Sequence, residues 1–521
     1  MPLHFRSPHR GDTVAVFIHA GAGYHSKQNE YLHLAAVSDA ARTAMAVLKN
    51  GGAATDAVEI AIRVLEDREI TNAGFGSNLT MHGEVECDAT LVDHLGRSGA
   101  VGAVPQIKNP IALARVVLQE SAKPLALQRV PPNLLVGQGA ADFAQAYGMR
   151  LVSNDSLVSD CARDRWIRWK KDLDRATREE RESVGRNGGK SSTQLETNDT
   201  PVGSTKALSP PPTPANQPTT PNASVWRPLQ PTLSTSPPLP TAQPDHPSVN
   251  DAVERPPSPH CIATDYGNLE THDSDVDNAI DDTLEWLSPP SKRTKTQRSF
   301  DGPGHQHAPT TLVNQPRPGP DGDGDIITDT VGAIAIDCFG RIAAGSSSGG
   351  IGMKHKGRCG PAALVGIGTA VIPADAQDPD QMCCASVTSG TGEHMATTMA
   401  AAIACDRIYN SVKKENGHLV TCTEEEAMKS VIEKDFMKHP GVADSHCVGA
   451  IGILSVKKSK DGIWFYFGHN TDSFALASMT GEEKKPISTM SRSRGNGSIA
   501  GGGRSIRFKY ASRRRDDKPR A

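Results

Sequence analysis

Hydrophobic and polar positions divide the chain into two patterned blocks around a long unpatterned one. Residues 13–19 (TVAVFIH) form a continuous apolar run that stops at Gly21-Ala22-Gly23, which predicts a buried strand entering a turn. From Ala35 to Leu48 apolar residues recur at helical spacing, with Gly51 and Gly52 as a stop signal. A second helix is predicted from near Thr55 through Ala57, Ile60, Ala61 and Val64 to about Asp67. Residues 84–92 alternate as a strand, and 110–119 and 139–147 again carry the helical period. The pattern lapses at about 155 and resumes at Ile326. Strands are predicted over 330–337, 341–348, 363–372 and 383–389, helices over 393–409 and 424–437, and a late hairpin over 447–456 and 463–468. No internal repeat is visible.

Composition explains the gap. Of 37 prolines, 24 lie between 201 and 320, and the chain is 37% hydrophobic where a fully globular one runs about 45–50%. Residues 155–326 pass from a charged stretch (162–186) to a Pro/Ser/Thr/Asn-rich one, an acidic one (273–285) and PGPDGDGD. Such a segment buries too little apolar surface to offset its chain entropy and is expected to be disordered, with the charged stretch forming a transient or partner-stabilised helix. The expected organisation is a folded part over 1–154, an insertion over 155–329, a second folded part over 330–490 and a basic flexible tail over 491–521. The proline-rich run reads as a linker or as a ligand for an SH3-like or WW-like domain. SKRTKTQR (291–298) reads as a solvated basic patch or a nuclear-import signal.

Charge and cysteines narrow the classes further. A formal net charge of −3 excludes a strongly basic nucleic-acid binder. No apolar stretch of about 18 residues is present, so no membrane span is expected, and the N-terminus lacks the run and cleavage site of a signal peptide. The ten cysteines have no repeating CxxC spacing and read as reduced, buried thiols of an intracellular protein. A zinc site at Cys383, Cys384 and His394 is the alternative, on a spacing that fits no common zinc pattern.

The most informative residue is Thr330. It opens a strand directly after an acidic, glycine-rich segment, in GDGDIITDTVGAIAID. A self-cleaving precursor needs this arrangement, with an exposed, strained bond before the threonine and a fixed new N-terminus. After cleavage one residue carries both hydroxyl nucleophile and base, since a free α-amine has a pKa near 7.7–8. Downstream, Ser346-Ser347-Ser348-Gly349-Gly350 ends the next strand, followed by KHKGRCG (354–360) and SGTGEH (389–394). Hydroxyls, glycine N–H groups and one arginine are thereby expected at the strand ends beside Thr330, an inventory suited to acyl transfer.

These residues resemble a family. HAGAGYHS (19–26), NGGAATDAV (50–58), TNAGFGSNL (71–79), GEVECDA (83–89), GAVGAVPQIKNPI (99–111), RVPPNLLVGQGA (129–140), DTVGAIAID (329–337), SSSGG, KHKGRCG and SGTGEH occur in the order found in N-terminal-nucleophile hydrolases with a threonine nucleophile, and most closely resemble the threonine aspartases. The resemblance covers about 13–150 and 326–410 and thins out to about 480. It implies an α+β fold, a four-layer αββα sandwich, and self-cleavage between Asp329 and Thr330 into subunits of 329 and 192 residues. By position, it assigns Thr330 as nucleophile, Ser348 as the hydroxyl on its α-amine, and Arg358 as the clamp on a substrate carboxylate. It assigns Ser389 and Gly390 as substrate contacts and Asn72 as the oxyanion donor. His19 and Gly21 to Gly23 match a glycine-rich loop near the site. No metal or organic cofactor is required. The resemblance also implies αβ heterodimers that pair, protein substrates cut after aspartate (nuclear transcription regulators among them), and a cytoplasmic or nuclear location.

Two departures bear on the substrate. Plant-type asparaginases carry the arginine in a GRxGD motif whose aspartate holds the substrate's free α-amine, and here that position is Pro361. The residue before the nucleophile is Asp329, where asparaginases typically have glycine. Both favour an endopeptidase cutting after aspartate. The alternatives are an asparaginase or isoaspartyl peptidase, and a non-enzymatic interaction scaffold in which the insertion does the work.

Overall fold

The computed structural model describes residues 14–188, 329–494 and 497–508. The strands are β1 (Ala15–Gly23), β2 (Cys87–Val92), β3 (Ser98–Val104), β4 (Leu134–Val136), β5 (Val331–Ile336), β6 (Ile342–Ser348), β7 (Thr369–Ile372), β8 (Cys383–Gly390), β9 (Val412–Glu415), β10 (His418–Thr421), β11 (Ile451–Ser459), β12 (Gly462–His469), β13 (Ser473–Thr480), β14 (Ile487–Arg492) and β15 (Ala500–Arg507). The helices are α1 (Glu30–Lys49), α2 (Ala54–Glu66), α3 (Pro110–Ser121), α4 (Gly137–Ala146), α5 (Asn154–Leu157), α6 (Asp160–Gly188), α7 (Gly392–Thr397), α8 (Ala400–Asn410), α9 (Glu424–Ser430) and α10 (Pro440–Ala443).

Eight strands form one sheet in the order β14-β13-β1-β5-β6-β2-β3-β4, five form a second in the order β15-β12-β11-β8-β7, and β9 with β10 makes a separate hairpin. Three cores follow. α1, α2 and α3 bury small-residue stripes (Ala40, Ala41 and Ala44 of α1; Ala57, Val58 and Ala61 of α2) against the larger sheet. Phe17, Ile334, Val387, Leu454 and Phe474 lie in a second core shared by strands of both sheets. A third core joins β8 and β11 to α8 and α9 through Cys384, Ala404, Cys405, Met428 and Ile453. Strands buried on both faces read as unbroken apolar runs, which is why residues 15–18 and 331–336 stand out in the sequence.

Several expectations are corrected. The segment after 155 does not become irregular at once: α6 docks through Arg165, whose Nη2 donates to the Gly76 carbonyl at 2.9 Å, and Trp166, whose Nε1 donates to the Thr80 carbonyl at 3.0 Å. Trp169 packs on Gly352, where a Cβ would sit 2.0 Å from the indole. A few docking residues per turn hold a helix that is otherwise charged. The flexible tail expected from 491 also starts too early, because β15 pairs with β12 over the whole of its length. The helix predicted over 393–409 breaks at Met399, which adopts left-handed φ/ψ of 49° and 49°. The one over 424–437 widens into a π-helical turn at Val431–Met437. The proline-rich run, the acidic stretch, SKRTKTQR and the last thirteen residues lie outside the described residues. Among the described residues no group of three His, Cys, Asp or Glu side chains converges as a metal site, at Cys383, Cys384 and His394 or elsewhere. No described helix is long and apolar enough to cross a membrane.

Candidate active site

Thr330 stands immediately before β5, at the end where β5 meets the glycine stretch of β1 and the serine end of β6. Register places Gly332 opposite His19 and Val331 opposite Ser347. The Asp329–Thr330 bond is therefore inside the protein. Asp329 and Thr330 are 2% and 4% exposed, so the expectation of an exposed scissile bond is wrong.

Three side chains hold this peptide unit. Asn72 Nδ2 donates to the Asp329 carbonyl at 2.9 Å and to the Gly350 carbonyl at 2.8 Å. Its orientation is set from behind, where Asn72 Oδ1 accepts from the Asn78 N–H at 2.8 Å. Ser348 Oγ donates to the same Asp329 carbonyl at 3.3 Å and accepts from the Gly350 N–H at 3.0 Å. Ser389 Oγ accepts from the Thr330 N–H at 3.1 Å and from the Ala22 N–H at 3.0 Å. In the uncut chain the hydroxyl on the Thr330 nitrogen is thus that of Ser389, while Ser348 sits on the carbonyl. Gly349 has to be glycine for these groups to meet, since a Cβ there would lie 2.5 Å from Ser77 and 2.7 Å from Asn72 Oδ1.

Arg358 and Gly390 stand apart from these contacts. Arg358 Nε and Nη2 donate to Glu393 Oε1 at 3.1 and 2.8 Å. Burial raises the pKa of Glu393, but the charge and hydrogen bonds of Arg358 outweigh this and leave it lowered. Cβ atoms built on Gly350, Gly360 and Gly392 would each fall within 2.9 Å of the guanidinium, so three glycines make its seat. Asp88 accepts from the Ala103 N–H at 2.8 Å and the Gly360 N–H at 2.6 Å, tying that loop to the sheet. Pro361 opens a buried single turn, Pro361–Ala363. Gly390 closes β8 with φ of 148°, and a Cβ on it would meet the Ala450 carbonyl at 2.1 Å.

Further residues carry no individual role in the sequence reading. His25 Nε2 lies 2.9 Å from Asp329 Oδ2. His19 is fully buried, and burial pushes its pKa down to about 3 against a smaller opposing contact with the Thr330 backbone. Lys354, also buried, donates to the Gly349 carbonyl at 2.5 Å and to the Glu86 carbonyl, with its pKa lowered by burial. The two histidines flank the glycines of HAGAGYHS, and that placement was the only hint of them in the sequence.

The sequence profile described as asparaginase matches residues 12–205 and 270–469, well over half of the chain. The chain belongs to this asparaginase family. It is a family of N-terminal-nucleophile hydrolases that includes taspase and isoaspartyl peptidase. An isoaspartyl peptidase/L-asparaginase of Danio rerio is 42% identical over 162 residues, covering 30% of this chain and 48% of its own. That of Homo sapiens is 43% identical over 148 residues, covering 28% and 45%, and a probable isoaspartyl peptidase/L-asparaginase 2 of Arabidopsis thaliana is 35% identical over 152 residues, covering 28% and 43%. The chain thus spans about half the length of the curated relatives it matches.

Proposed function

We propose that this member of the asparaginase family is a self-processing threonine hydrolase that cuts its own chain between Asp329 and Thr330 and then cuts protein substrates after aspartate. The observation that carries the first half is the Asp329 carbonyl held by Asn72 Nδ2 and Ser348 Oγ directly before a strand-opening threonine. Thr330 Oγ attacks the Asp329 carbonyl carbon, the C–N bond breaks, and the hydroxyl proton passes to the departing nitrogen, leaving an ester. The negative charge that develops on the carbonyl oxygen falls on donors already in place, which need no reorganisation. Water then hydrolyses the ester, freeing the Asp329 carboxylate and the Thr330 α-amine. In the mature enzyme that amine is the base for the same hydroxyl, within an αββα sandwich of paired αβ units.

The second half is supported by two residues. Pro361 stands where plant-type asparaginases hold a free substrate amine, and an aspartate inside a peptide has no such amine. Arg358 offers a planar fork for a carboxylate. The competing reading is an isoaspartyl peptidase or asparaginase, and the names of the curated relatives favour it. Intact-mass spectra of the wild-type chain and of Thr330→Ala, after incubation near neutral pH, test self-processing: two fragments meeting at Asp329/Thr330 in the wild type alone are expected. The processed enzyme is then given free asparagine, an isoaspartyl dipeptide and a longer peptide with an internal aspartate. Cleavage of the longer peptide alone is expected, and turnover of the two small substrates would instead establish the competing reading.

A further inference from the structure

The aspartate side chain at the cleavage site lies in a pocket of its own. Asp329 is 2% exposed, and its Oδ2 faces His25 Nε2 at 2.9 Å. The imidazole is fixed from its other side, where Nδ1 and the backbone N–H of His25 both lie 2.9 Å from Ser473 Oγ. The His33 ring packs edge-on against it at 4.3 Å between centroids. The walls are backbone. A Cβ on Gly21 would lie 2.0 Å from Asp329 Cβ, and one on Gly23 would lie 2.3 Å from Oδ1. Gly21 has φ of +110°, and the pairing of β1 with β13 slips between His19 and Ala22, so the chain bends around the aspartate there. Arg358 is engaged with Glu393.

We propose that His25 and the Gly21–Gly23 cradle read the aspartate side chain during self-cleavage, separately from the Arg358 seat. This rests on the self-processing reading above. A buried carboxyl side chain is tolerated only where its oxygens find polar partners, and the His25 imidazole, 2.9 Å from Oδ2, is the partner that the pocket supplies. Paired in this way, the side chain anchors the residue whose carbonyl Asn72 and Ser348 hold, and so keeps that carbonyl in register with Thr330. Glutamate, one methylene longer, has no room in a cradle already closed to a single Cβ. Glycine presents no carboxylate and makes no demand on His25. His25 is on this view a specificity-determining residue for the cut in cis.

The test is a double-mutant cycle on the full chain, reading the self-processing rate by mass spectrometry and thermal melting to verify folding. His25→Ala is expected to slow cleavage of the Asp329 chain on the order of 10–100-fold, because the carboxylate loses its buried partner. In the Asp329→Gly chain the same substitution is expected to change the rate by less than about twofold; if that chain does not process, Asp329→Asn takes its place. Asp329→Glu is expected to stall. Equal slowing in both backgrounds would overturn the proposal, since His25 would then be supporting the fold. An unchanged rate in the Asp329 chain would overturn it as well, while leaving self-processing intact. An uncut wild-type chain would overturn both.

Discussion

Asn72, in the loop after α2, reaches Asp329, just before β5: the side-chain amide of one lies 2.9 Å from the main-chain carbonyl of the other, 257 positions away in the chain. The amide cannot rotate freely, because its oxygen is held by the Asn78 N–H and its nitrogen also serves the Gly350 carbonyl. Asn72→Ala is therefore expected to slow self-processing about 10²–10³-fold, the usual loss for one preorganised oxyanion donor. A time course of fragment formation measures it. A rate within a fewfold of wild type would mean that Ser348 suffices.

Thr330 is the residue on which the proposed chemistry depends. Thr330→Ala should give an uncut, inactive chain. Thr330→Ser should process and turn over more slowly, because serine lacks the branched carbon that restricts χ1 and aims the oxygen. Normal processing in the alanine variant would refute the assignment.

Glu393 occupies the guanidinium that a substrate carboxylate would need. Glu393→Gln leaves the shape and removes the competing charge, so KM for an aspartate peptide should fall severalfold with kcat little changed. The gain should be modest, since Glu393 is largely exposed and its ion pair is screened. Arg358→Ala should lose discrimination for aspartate. Steady-state kinetics on peptides with aspartate or asparagine at the cut position read both effects.

A buried acid sets a pH dependence of stability away from the site. Glu66 is fully buried between α2, α3 and β6, accepting from the Ile111 N–H at 3.0 Å and Ser347 Oγ at 2.7 Å, and burial pushes its pKa up to about 8. The folded state thus favours its protonated form. Its contribution is fully present below the unfolded carboxyl pKa near 4.3 and is lost as the pH rises towards 8. Glu66→Gln keeps the shape without the ionisation. Its melting temperature relative to wild type should rise between pH 5 and pH 8, by an amount corresponding to up to a few kcal/mol. A constant difference across that range would show that Glu66 is ionised in the fold.

Local pattern was enough to place most elements of both folded blocks, because burial on one or two faces leaves its period in a few consecutive residues. It predicted strands over 13–19 and 330–337 and helices from near Thr55 to about Asp67 and over 110–119, where β1, β5, α2 and α3 lie, and it put Thr330 at the mouth of a strand. It missed β15 and the docking of α6, whose partners are supplied by distant strands and loops and not by their own composition. The motifs named Asn72, Ser348, Ser389 and Arg358 one by one, but not the division of work among them. Only the tertiary fold brings Asn72 and Ser348 to one carbonyl and Ser389 to the next nitrogen, and sets Arg358 on Glu393. The burial of the Asp329–Thr330 bond and the pocket of His25 were likewise invisible in sequence. Hydrogen bonds and steric closure depend on positions within a fraction of an ångström, and only the packing of sheets, helices and loops sets those for residues hundreds of positions apart.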